Sequence, residues 1–329
     1  MSDIARLTGY SIKTVSRVIN NSPDVKEETR RIIMDAIQKN NFSVNIMAKA
    51  LKTKQTHTII LFIDKHGGSY WNAWHSYIIK EIITKFKSRG FKIIISPSSG
   101  EGVIGDETDG FLLLKSGIAD GAILFDNLPK DIRIEYLRNN NIPFVILGKD
   151  LEHTDTSFVD QDNYQVGYLG AEYLIKKGYR SLTFLLGFRE FNVNKERSNG
   201  FIKCCNENET DFKIYFNIDT IEKAYQLSKD ILRNKDHPDA FFISGDEKVP
   251  GIYKAILEEG FSIPRDIAVL GVDNLPLSKY LHPSLTSIDQ DVKKFATESV
   301  NLLIDKIQSD NRITKNLIIT PKIIARESA

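Results

Sequence analysis

The sequence predicts a small all-α helix-turn-helix headpiece followed by a larger α/β domain of two lobes, each built on a parallel sheet. Three observations predict this fold. Short amphipathic helical patterns occupy the first 40 residues. From residue 58 onward, strands that are apolar throughout alternate with helices, which is typical of parallel sheets covered on both faces. These strand–helix units are too numerous for one compact sheet, so we expect two lobes.

From Asp3 to Asn20 the residues follow the pattern of a helix-turn-helix. Gly9 permits a sharp turn because glycine tolerates a positive φ, and Ser11 can cap the second helix. Apolar residues of the two helices face each other, namely Ile4, Ala5 and Leu7 in the first and Val15, Val18 and Ile19 in the second. The residues left outside are Ile12, Lys13, Thr14, Ser16 and Arg17. On this pattern alone, an ordinary helical hairpin is the alternative.

Basic residues are concentrated near the N-terminus, although the whole chain has a net charge of only +1. Residues 1–57 hold ten Lys and Arg against five Asp and Glu, whereas the rest of the chain holds 34 against 38. A basic module joined to a slightly acidic body suits a polyanionic partner at one end. A merely solvated basic face is the alternative.

The composition indicates a cytoplasmic protein. Neither a signal-peptide core nor an apolar run of membrane-spanning length occurs. The two cysteines, Cys204 and Cys205, are adjacent, and the six histidines have no metal-ligand spacing. We therefore expect a reduced protein with no membrane partner, no metal and no cofactor.

The N-terminal 53 residues closely resemble the DNA-binding headpiece of the LacI/GalR family of bacterial transcription regulators. The matching pieces are Asp3-Ile4-Ala5, Gly9, Ser11, Thr14-Val15-Ser16-Arg17-Val18, Thr29-Arg30 and Asn45 through Ala48 to Leu51. In the body, the pieces that match this family include Asp162-Asn163-Tyr164, Glu196-Arg197, Ile267 to Asp273 and Pro283 to Ile288. The resemblance implies a two-lobed effector domain like that of periplasmic binding proteins, with a chain that crosses between lobes three times.

The resemblance also implies the limits of the domains. We expect a headpiece at 1–44, a hinge helix and linker at 45–57, and a ligand-binding and dimerisation domain at 58–329. Within that domain, the N-lobe takes about 58–158 and 289–317, and the C-lobe takes about 159–288 and 318–329. The three crossings are expected near Phe158–Asp160, Ser287–Asp289 and Leu317–Thr320.

DNA contacts are implied at the second helix. The resemblance gives base contacts to Ile12, Lys13 and Arg17, and Arg17 can bond guanine O6 and N7 together. Phosphate contacts, which position rather than specify, are expected from Thr14, Ser16 and Asn20. For Arg17, a surface salt bridge is the alternative.

The hinge residues Asn45, Ala48 and Leu51 are also expected to contact DNA. Asn45 can cap a helix that is too short to be stable alone in water. The resemblance implies that this helix orders on operator DNA, where Leu51 wedges into a minor-groove base step. A plain tether, with Leu51 packed on the body, is the alternative.

Candidate effector contacts fall into two groups. The first group is a loop after the first strand that contains both tryptophans, and its candidates are Tyr70, Trp71, Trp74 and His75. Sugars bind flat aromatic faces together with charged or amide groups. The second group is Arg197, Asp246 and Asp273, of which Asp273 ends an apolar strand, where a carboxylate facing the core would be costly. The alternatives are core packing for the aromatic residues and ion pairs for the charged ones.

These observations together predict a DNA-binding transcriptional regulator that acts as a repressor. We expect a cytoplasmic, nucleoid-associated homodimer on near-palindromic double-stranded operator DNA, controlled by a small sugar or sugar derivative between the lobes. No phosphate loop, nucleophile elbow or metal-binding helix pair appears, so we do not expect an enzyme. The alternatives are a sugar-binding protein of the periplasmic type, a corepressor-dependent regulator and a sugar-processing enzyme.

Overall fold

A computed structural model describes residues 1–19, 22–40, 42, 55–64, 72–102, 104, 110–309 and 314–329. The chain divides into two compact units, Met1–Thr56 and His57–Ala329. Six candidate site residues lie outside the described part of the chain, namely Asn20, Asn45, Ala48, Leu51, Tyr70 and Trp71. The hinge expected at 45–57 is described only from residue 55 onward.

The described residues of the first unit form three helices, α1 (Ser2–Thr8), α2 (Ile12–Ile19) and α3 (Glu27–Lys39). Their shared core is formed by Ile4, Val15, Val18 and Ile33. Ser11 caps α2, since its Oγ accepts the Thr14 N–H at 3.1 Å. The expectation that Leu7 faces inward is wrong, because its side chain is 59% exposed while Ile4 fills the interface.

The second unit alternates strands and helices. Its strands are β1 (Thr58–Asp64), β2 (Lys92–Ser98), β3 (Gly121–Leu124), β4 (Phe144–Leu147), β5 (Phe158–Gln161), β6 (Ser181–Leu185), β7 (Asp211–Tyr215), β8 (Ala240–Ile243), β9 (Ala268–Asp273), β10 (Thr286–Asp289), β11 (Asn316–Ile319) and β12 (Lys322–Ile324). Its helices are α4 (Ala73–Lys87), α5 (Gly110–Lys115), α6 (Ile132–Asn139), α7 (Asn163–Lys176), α8 (Asn192–Glu207), α9 (Ile221–Leu232), α10 (Val249–Glu258) and α11 (Val292–Gln308). Two 3₁₀ turns span Asp246–Lys248 and Pro276–Lys279.

Two six-stranded sheets define an N-terminal and a C-terminal lobe. The N-terminal sheet has the order β11-β5-β4-β3-β1-β2, and the C-terminal sheet has the order β12-β10-β9-β8-β6-β7. The paired strands are parallel except for β10 and β12, which are antiparallel. This confirms the expected two-lobed α/β fold with parallel-dominated sheets.

The chain passes between the sheets three times. Because β5 and β11 lie wholly in the N-terminal sheet, the first and third crossings fall at Asp162 and at Thr320–Pro321. The second crossing falls at Gln290–Asp291, between β10 and α11. The expected crossings near 158–160 and 287–289 therefore lie one to four residues before the observed ones.

Helices cover both faces of each sheet. In β1 the alternating residues divide between two cores, with Ile59 and Leu61 facing α4 and α11, and Ile60 and Phe62 facing α5 and α6. The C-terminal sheet is covered by α7 and α8 on one face and by α9 and α10 on the other. Within the described residues, no helix has the length and apolar character needed to span a membrane.

Helices α7 and α8 pack backbone against backbone. A Cβ added to Gly167 of α7 would lie 1.9 Å from the Arg197 carbonyl oxygen, and one added to Gly200 of α8 would lie 1.9 Å from the Tyr164 carbonyl oxygen. Neither carbonyl can move without moving its helix. This reciprocal contact therefore fixes the position of α8, the helix that carries Arg197.

The variant Gly167→Ala tests that contact. We expect it to lower the free energy of unfolding by about 3 kcal/mol, because α8 must shift to admit the methyl group. The control Gly260→Ala has open space around the added carbon but a φ of +85°. It should cost only about 1–2 kcal/mol from backbone strain. Urea denaturation followed by circular dichroism measures the free energy of unfolding of both variants. Equal losses of stability would show that a methyl group fits between α7 and α8 without a shift of either helix.

Candidate functional site

A cavity of about 560 Å³ lies between the two lobes. Residues that follow or end the strands of both sheets line it, including Asp126 after β3, Gly148 after β4, Ser244 after β8 and Asp273 at the end of β9. Parallel sheets gather polar residues at the carboxyl ends of their strands, and ligands of such sheets bind there. The cavity is therefore the candidate ligand site.

The N-terminal wall is built on the first turn of α4. Asn72 caps this helix, since its Oδ1 accepts the His75 N–H at 2.9 Å and also lies 2.8 Å from His75 Nδ1. The other ring nitrogen, Nε2, lies 2.8 Å from Asp126 Oδ2. Burial lowers the pKa of His75, but the charge and hydrogen bond of Asp126 outweigh that effect, so its pKa lies above the usual value. The imidazole ring is thus held in one orientation.

Trp74 both packs against the core and lines the cavity, so core packing and ligand contact are both open to it. Its ring packs edge-on against Phe125 and Phe295, with centroids 6.4 Å and 6.2 Å away, and it also lines the cavity. Its buried indole Nε1 has no hydrogen-bond partner among the residues that the structure describes. His75 lines the cavity as well.

On the C-terminal wall, Arg197 is held by two neutral acceptors. Its Nε donates to Asn163 Oδ1 at 2.9 Å, and its Nη1 donates to Ser244 Oγ at 2.7 Å. Only 6% of the residue is exposed, and burial lowers the pKa of the guanidinium while the carboxylate of Asp273 opposes that effect. The two hydrogen bonds fix a fork of donors at the cavity wall.

Asp273 lines the same wall. Its Oδ1 accepts a hydrogen bond from the Gln290 side-chain amide at the second crossing. Its backbone has a φ of 107°, which is uncommon for a residue with a side chain. Burial raises the pKa of Asp273 well above its usual range, and Arg197 opposes that rise.

Asp246 does not line the cavity, so the expectation that it contacts an effector is corrected. Its carboxylate points instead toward the loop after β9. One oxygen accepts the Leu275 N–H at 3.0 Å and the Ser278 hydroxyl, and the Ser287 hydroxyl donates to the carboxylate at 2.8 Å. Burial raises its pKa to about 7 despite these hydrogen bonds. An aspartate that follows a strand can face either way, and here three donors draw it behind the wall.

Asp160 is a cavity residue that the sequence reasoning did not select. It lies inside β5, where its Oδ1 accepts the Gln161 N–H at 2.8 Å and an Asn163 amide hydrogen at 3.0 Å. Burial, reinforced by the nearby charge of Glu196, raises its pKa to about 7. A carboxylate within an apolar strand is itself a signal that could have identified it, because such a group is costly unless it faces a polar site.

Other cavity residues were also missed. Phe188 and Phe191 form an edge-to-face pair with centroids 6.0 Å apart in the loop after β6. Their position after the carboxyl end of a strand is the signal that could have revealed them. Lys149, after β4, forms a salt bridge of 2.6 Å with Glu196 of α8, which joins the two lobes beside the cavity. Nothing in the sequence pairs these two residues.

In the headpiece, the expected base-contacting residues share the outer surface of α2. Ile12 is 52% exposed, and Lys13 and Arg17 are exposed as well. Thr14 and Ser16 are half-buried, and the Thr14 hydroxyl lies 2.9 Å from the Ser11 hydroxyl. Among the described residues, no carboxylate forms a salt bridge with Arg17. The described part of the chain also contains no cluster of three or more metal-ligating side chains.

The raised pKa of Asp160 predicts a pH-dependent stability. The folded protein keeps a proton on Asp160 up to about pH 7, whereas the unfolded chain loses it near the ordinary value of 3.8. The stability that this group contributes therefore falls as the pH rises through that interval. We expect Asp160→Asn to be more stable than the parent at pH 8, by on the order of 2–4 kcal/mol, and to show a smaller difference at pH 5.

Urea denaturation at both pH values measures the effect. The exposed Asp236 provides the control, because Asp236→Asn should change stability little and equally at the two pH values. If Asp160→Asn gave the same difference at pH 5 and pH 8, the Asp160 carboxyl would have an ordinary pKa.

Two family models match the chain. Residues 1–45 match the model described as bacterial regulatory proteins, lacI family, and residues 171–329 match the periplasmic binding protein-like domain. A full-length relative is the HTH-type transcriptional repressor PurR of Actinobacillus pleuropneumoniae, which is 27% identical over 100% of this chain and 97% of that protein.

Solved structures share the fold. The lac repressor dimer bound to operator and the anti-inducer ONPF is 24% identical, covers 99% of this chain and 97% of that chain, and has a TM-score of 0.84. The complex of the transcriptional regulator CelR with cellobiose is 22% identical, with coverage of 99% and 98% and a TM-score of 0.73. The matches confirm the resemblance seen in the sequence: the chain carries a lacI-family regulatory-protein domain at residues 1–45 and a periplasmic binding protein-like domain at residues 171–329, and it is similar over its whole length to transcriptional repressors of the LacI family.

Proposed function

We propose that this protein is a repressor whose binding to operator DNA is controlled by a small sugar or sugar derivative held between the two lobes. The observation that carries this proposal is the cavity, which combines aromatic rings with fixed polar groups from both lobes. Its full-length relative PurR is a transcriptional repressor by name. A corepressor-dependent regulator is the second form of the same proposal, in which the effector strengthens DNA binding instead of releasing it.

The chemistry of the cavity wall favours a sugar. Trp74 and Phe191 offer apolar ring faces, on which the C–H surface of a pyranose or furanose can stack. Arg197 and Asp273 offer a charged donor and a charged acceptor, whose hydrogen bonds to hydroxyl groups are stronger than those of neutral groups. The related regulator CelR binds cellobiose, which supports a sugar as the class of ligand.

DNA recognition is proposed for the exposed surface of α2. Arg17 is the candidate for reading guanine in the major groove, Lys13 can donate to guanine or phosphate, and Ile12 can contact a thymine methyl group. Thr14 and Ser16 are proposed phosphate contacts. The roles of Asn20, Asn45, Ala48 and Leu51 stay predictions, as do the headpiece at 1–44 and the hinge at 45–57.

Two subunits are proposed to bind one near-palindromic operator. The related lac repressor binds its operator as a dimer, and a twofold-symmetric protein matches a palindromic site. Effector binding changes the angle between the lobes at the three crossings. By linkage, an effector that weakens operator binding must itself bind less tightly to the DNA-bound form. We place this regulator in the cytoplasm and propose no catalytic role for it.

The role of Arg17 is tested with Arg17→Ala. Loss of a bidentate contact to guanine should reduce discrimination between the operator and a single-base variant by about 1–3 kcal/mol. Because the operator is unknown, sequences selected from a random duplex library by the parent protein supply it. Fluorescence anisotropy with matched and mismatched duplexes then measures the discrimination.

The control is Arg31→Ala, which removes an exposed arginine from α3 rather than from α2. It should weaken binding to all duplexes alike and leave discrimination unchanged. An Arg17→Ala variant that discriminates as well as the parent would remove Arg17 from the base contacts.

The role of Asp273 is tested with Asp273→Asn against a sugar identified by a thermal-shift screen, since a ligand of the folded state raises the melting temperature. Loss of a charged acceptor should weaken sugar binding by roughly 10- to 150-fold, which corresponds to about 1.5–3 kcal/mol. Operator binding without sugar should stay at the parent level. Isothermal titration measures the first quantity and anisotropy the second.

Asp246→Asn is the matched control, because Asp246 is a buried carboxylate of the same lobe that does not line the cavity. It should keep the sugar affinity of the parent. The opposite result, with Asp246→Asn abolishing sugar binding and Asp273→Asn sparing it, would place the ligand elsewhere.

A further inference from the structure

The charges along the cavity wall are unequal. The described lining residues include five carboxylates, namely Asp126, Asp160, Asp219, Glu247 and Asp273. The cationic lining residues are Lys149, Arg197 and Lys248, together with the titratable His75. Which of these charges a ligand would experience depends on which are already neutralised by a partner.

Most of them are paired at short distance. Asp126 pairs with His75 at 2.8 Å, and Glu247 pairs with Lys248 at 2.9 Å. Two further pairs involve a partner outside the lining, since Asp219 bonds Lys223 at 2.6 Å and Lys149 bonds Glu196 at 2.6 Å. Within the described residues, these pairs leave three charged groups of the lining whose hydrogen bonds are to neutral groups only.

The three remaining groups are Arg197, Asp160 and Asp273. Arg197 donates to the neutral oxygens of Asn163 and Ser244, and both carboxylates accept from amides. Two carboxylates thus face one guanidinium across the described cavity wall. Above pH 7, where Asp160 is ionised, these two carboxylates already supply the negative charge that Arg197 could attract.

The hydrogen-bonding groups of the wall that lack a partner also favour an uncharged ligand. Three buried atoms of lining side chains lack a partner within the described residues, and they are Trp74 Nε1, Gln161 Oε1 and Glu247 Oε2. One is a donor and two are acceptors. An ionised carboxylate or phosphate offers acceptors only, whereas each hydroxyl group of a sugar can donate and accept.

We infer, building on the proposed function, that the effector is an uncharged polyhydroxylated sugar and that the cavity excludes sugar acids and sugar phosphates. Ionised carboxylates without a cationic hydrogen-bond partner, together with surplus acceptors, would repel an anionic group. A neutral sugar would instead donate hydroxyl hydrogens to Asp160 and Asp273 and accept from Arg197. The exclusion is a property of charge and not of size.

The full-length protein is tested first in a thermal-shift screen containing equal numbers of neutral sugars, uronates and sugar phosphates. The inference requires that the sugar with the largest shift be uncharged. An anionic sugar in that place would overturn the inference and leave the proposed function standing. If no sugar of any class bound, the proposed sugar effector would be wrong, and this inference would fall with it.

Isothermal titration at pH 8, where Asp160 is ionised, then compares the neutral sugar with its own uronate, its 6-phosphate and its uronamide, or the equivalent derivatives at its primary hydroxyl. We expect the uronate and the phosphate to bind at least about 30-fold more weakly than the parent sugar, because each brings a negative charge next to unpaired carboxylates. The uronamide has nearly the size of the uronate without its charge and should bind much more tightly than the uronate. Equal rejection of uronamide and uronate would mean a steric limit and would overturn the inference.

The variant Asp160→Asn tests whether this carboxylate causes the weaker binding of the uronate. At pH 8, where Asp160 is ionised, Asp160→Asn removes one negative charge with little change of shape, and it should reduce the penalty against the uronate at least about fivefold. Asp236→Asn, the exposed control, should leave the penalty unchanged. If the penalty persisted in both Asp160→Asn and Asp273→Asn, the unpaired carboxylates would not be its source, and the inference would fail.

Discussion

The burial of the Arg197 guanidinium is the constraint on which the ligand cavity depends. A charged group removed from water is costly unless fixed dipoles and opposite charges surround it. Here Asn163 from the first crossing and Ser244 from the end of β8 supply the acceptors, and Asp273 supplies an opposing charge. The close backbone contact between α7 and α8 sets where that guanidinium can lie. Elements far apart in the chain therefore meet around one side chain.

The same arrangement explains why the cavity wall is rigid in some places. His75 is bonded through both ring nitrogens, to Asn72 and to Asp126, so one helix cap orients a ring that faces the ligand site. Arg197 has comparable support on the opposite lobe. Side chains that are held before a ligand arrives lose little conformational freedom when it binds. Such preorganisation is distributed over both lobes.

Much of the fold could be predicted from the sequence because it depends on local patterns. Val15 and Val18 follow helical spacing, and the apolar run of β1 marks a strand buried on both faces. Asp273 could be selected because a carboxylate that ends an apolar strand needs a polar site. Asp246 also follows a strand, but its carboxylate turns away from the cavity, because the donors that bind it come from Leu275, Ser278 and Ser287, which are distant in the chain. Tertiary contacts decide which way a side chain points at the end of a strand. Similarly, Leu7 fits the helical pattern, yet the packing of Ile4 leaves it outside.

The salt bridge between Lys149 and Glu196 makes one contact between the two lobes sensitive to dissolved salt. The two side chains are 27% and 23% exposed, so dissolved ions reach them and screen their attraction. This bridge joins the N-terminal lobe to the C-terminal lobe beside the cavity. The attraction between the lobes at this point therefore depends on ionic strength, and concentrated electrolyte weakens it.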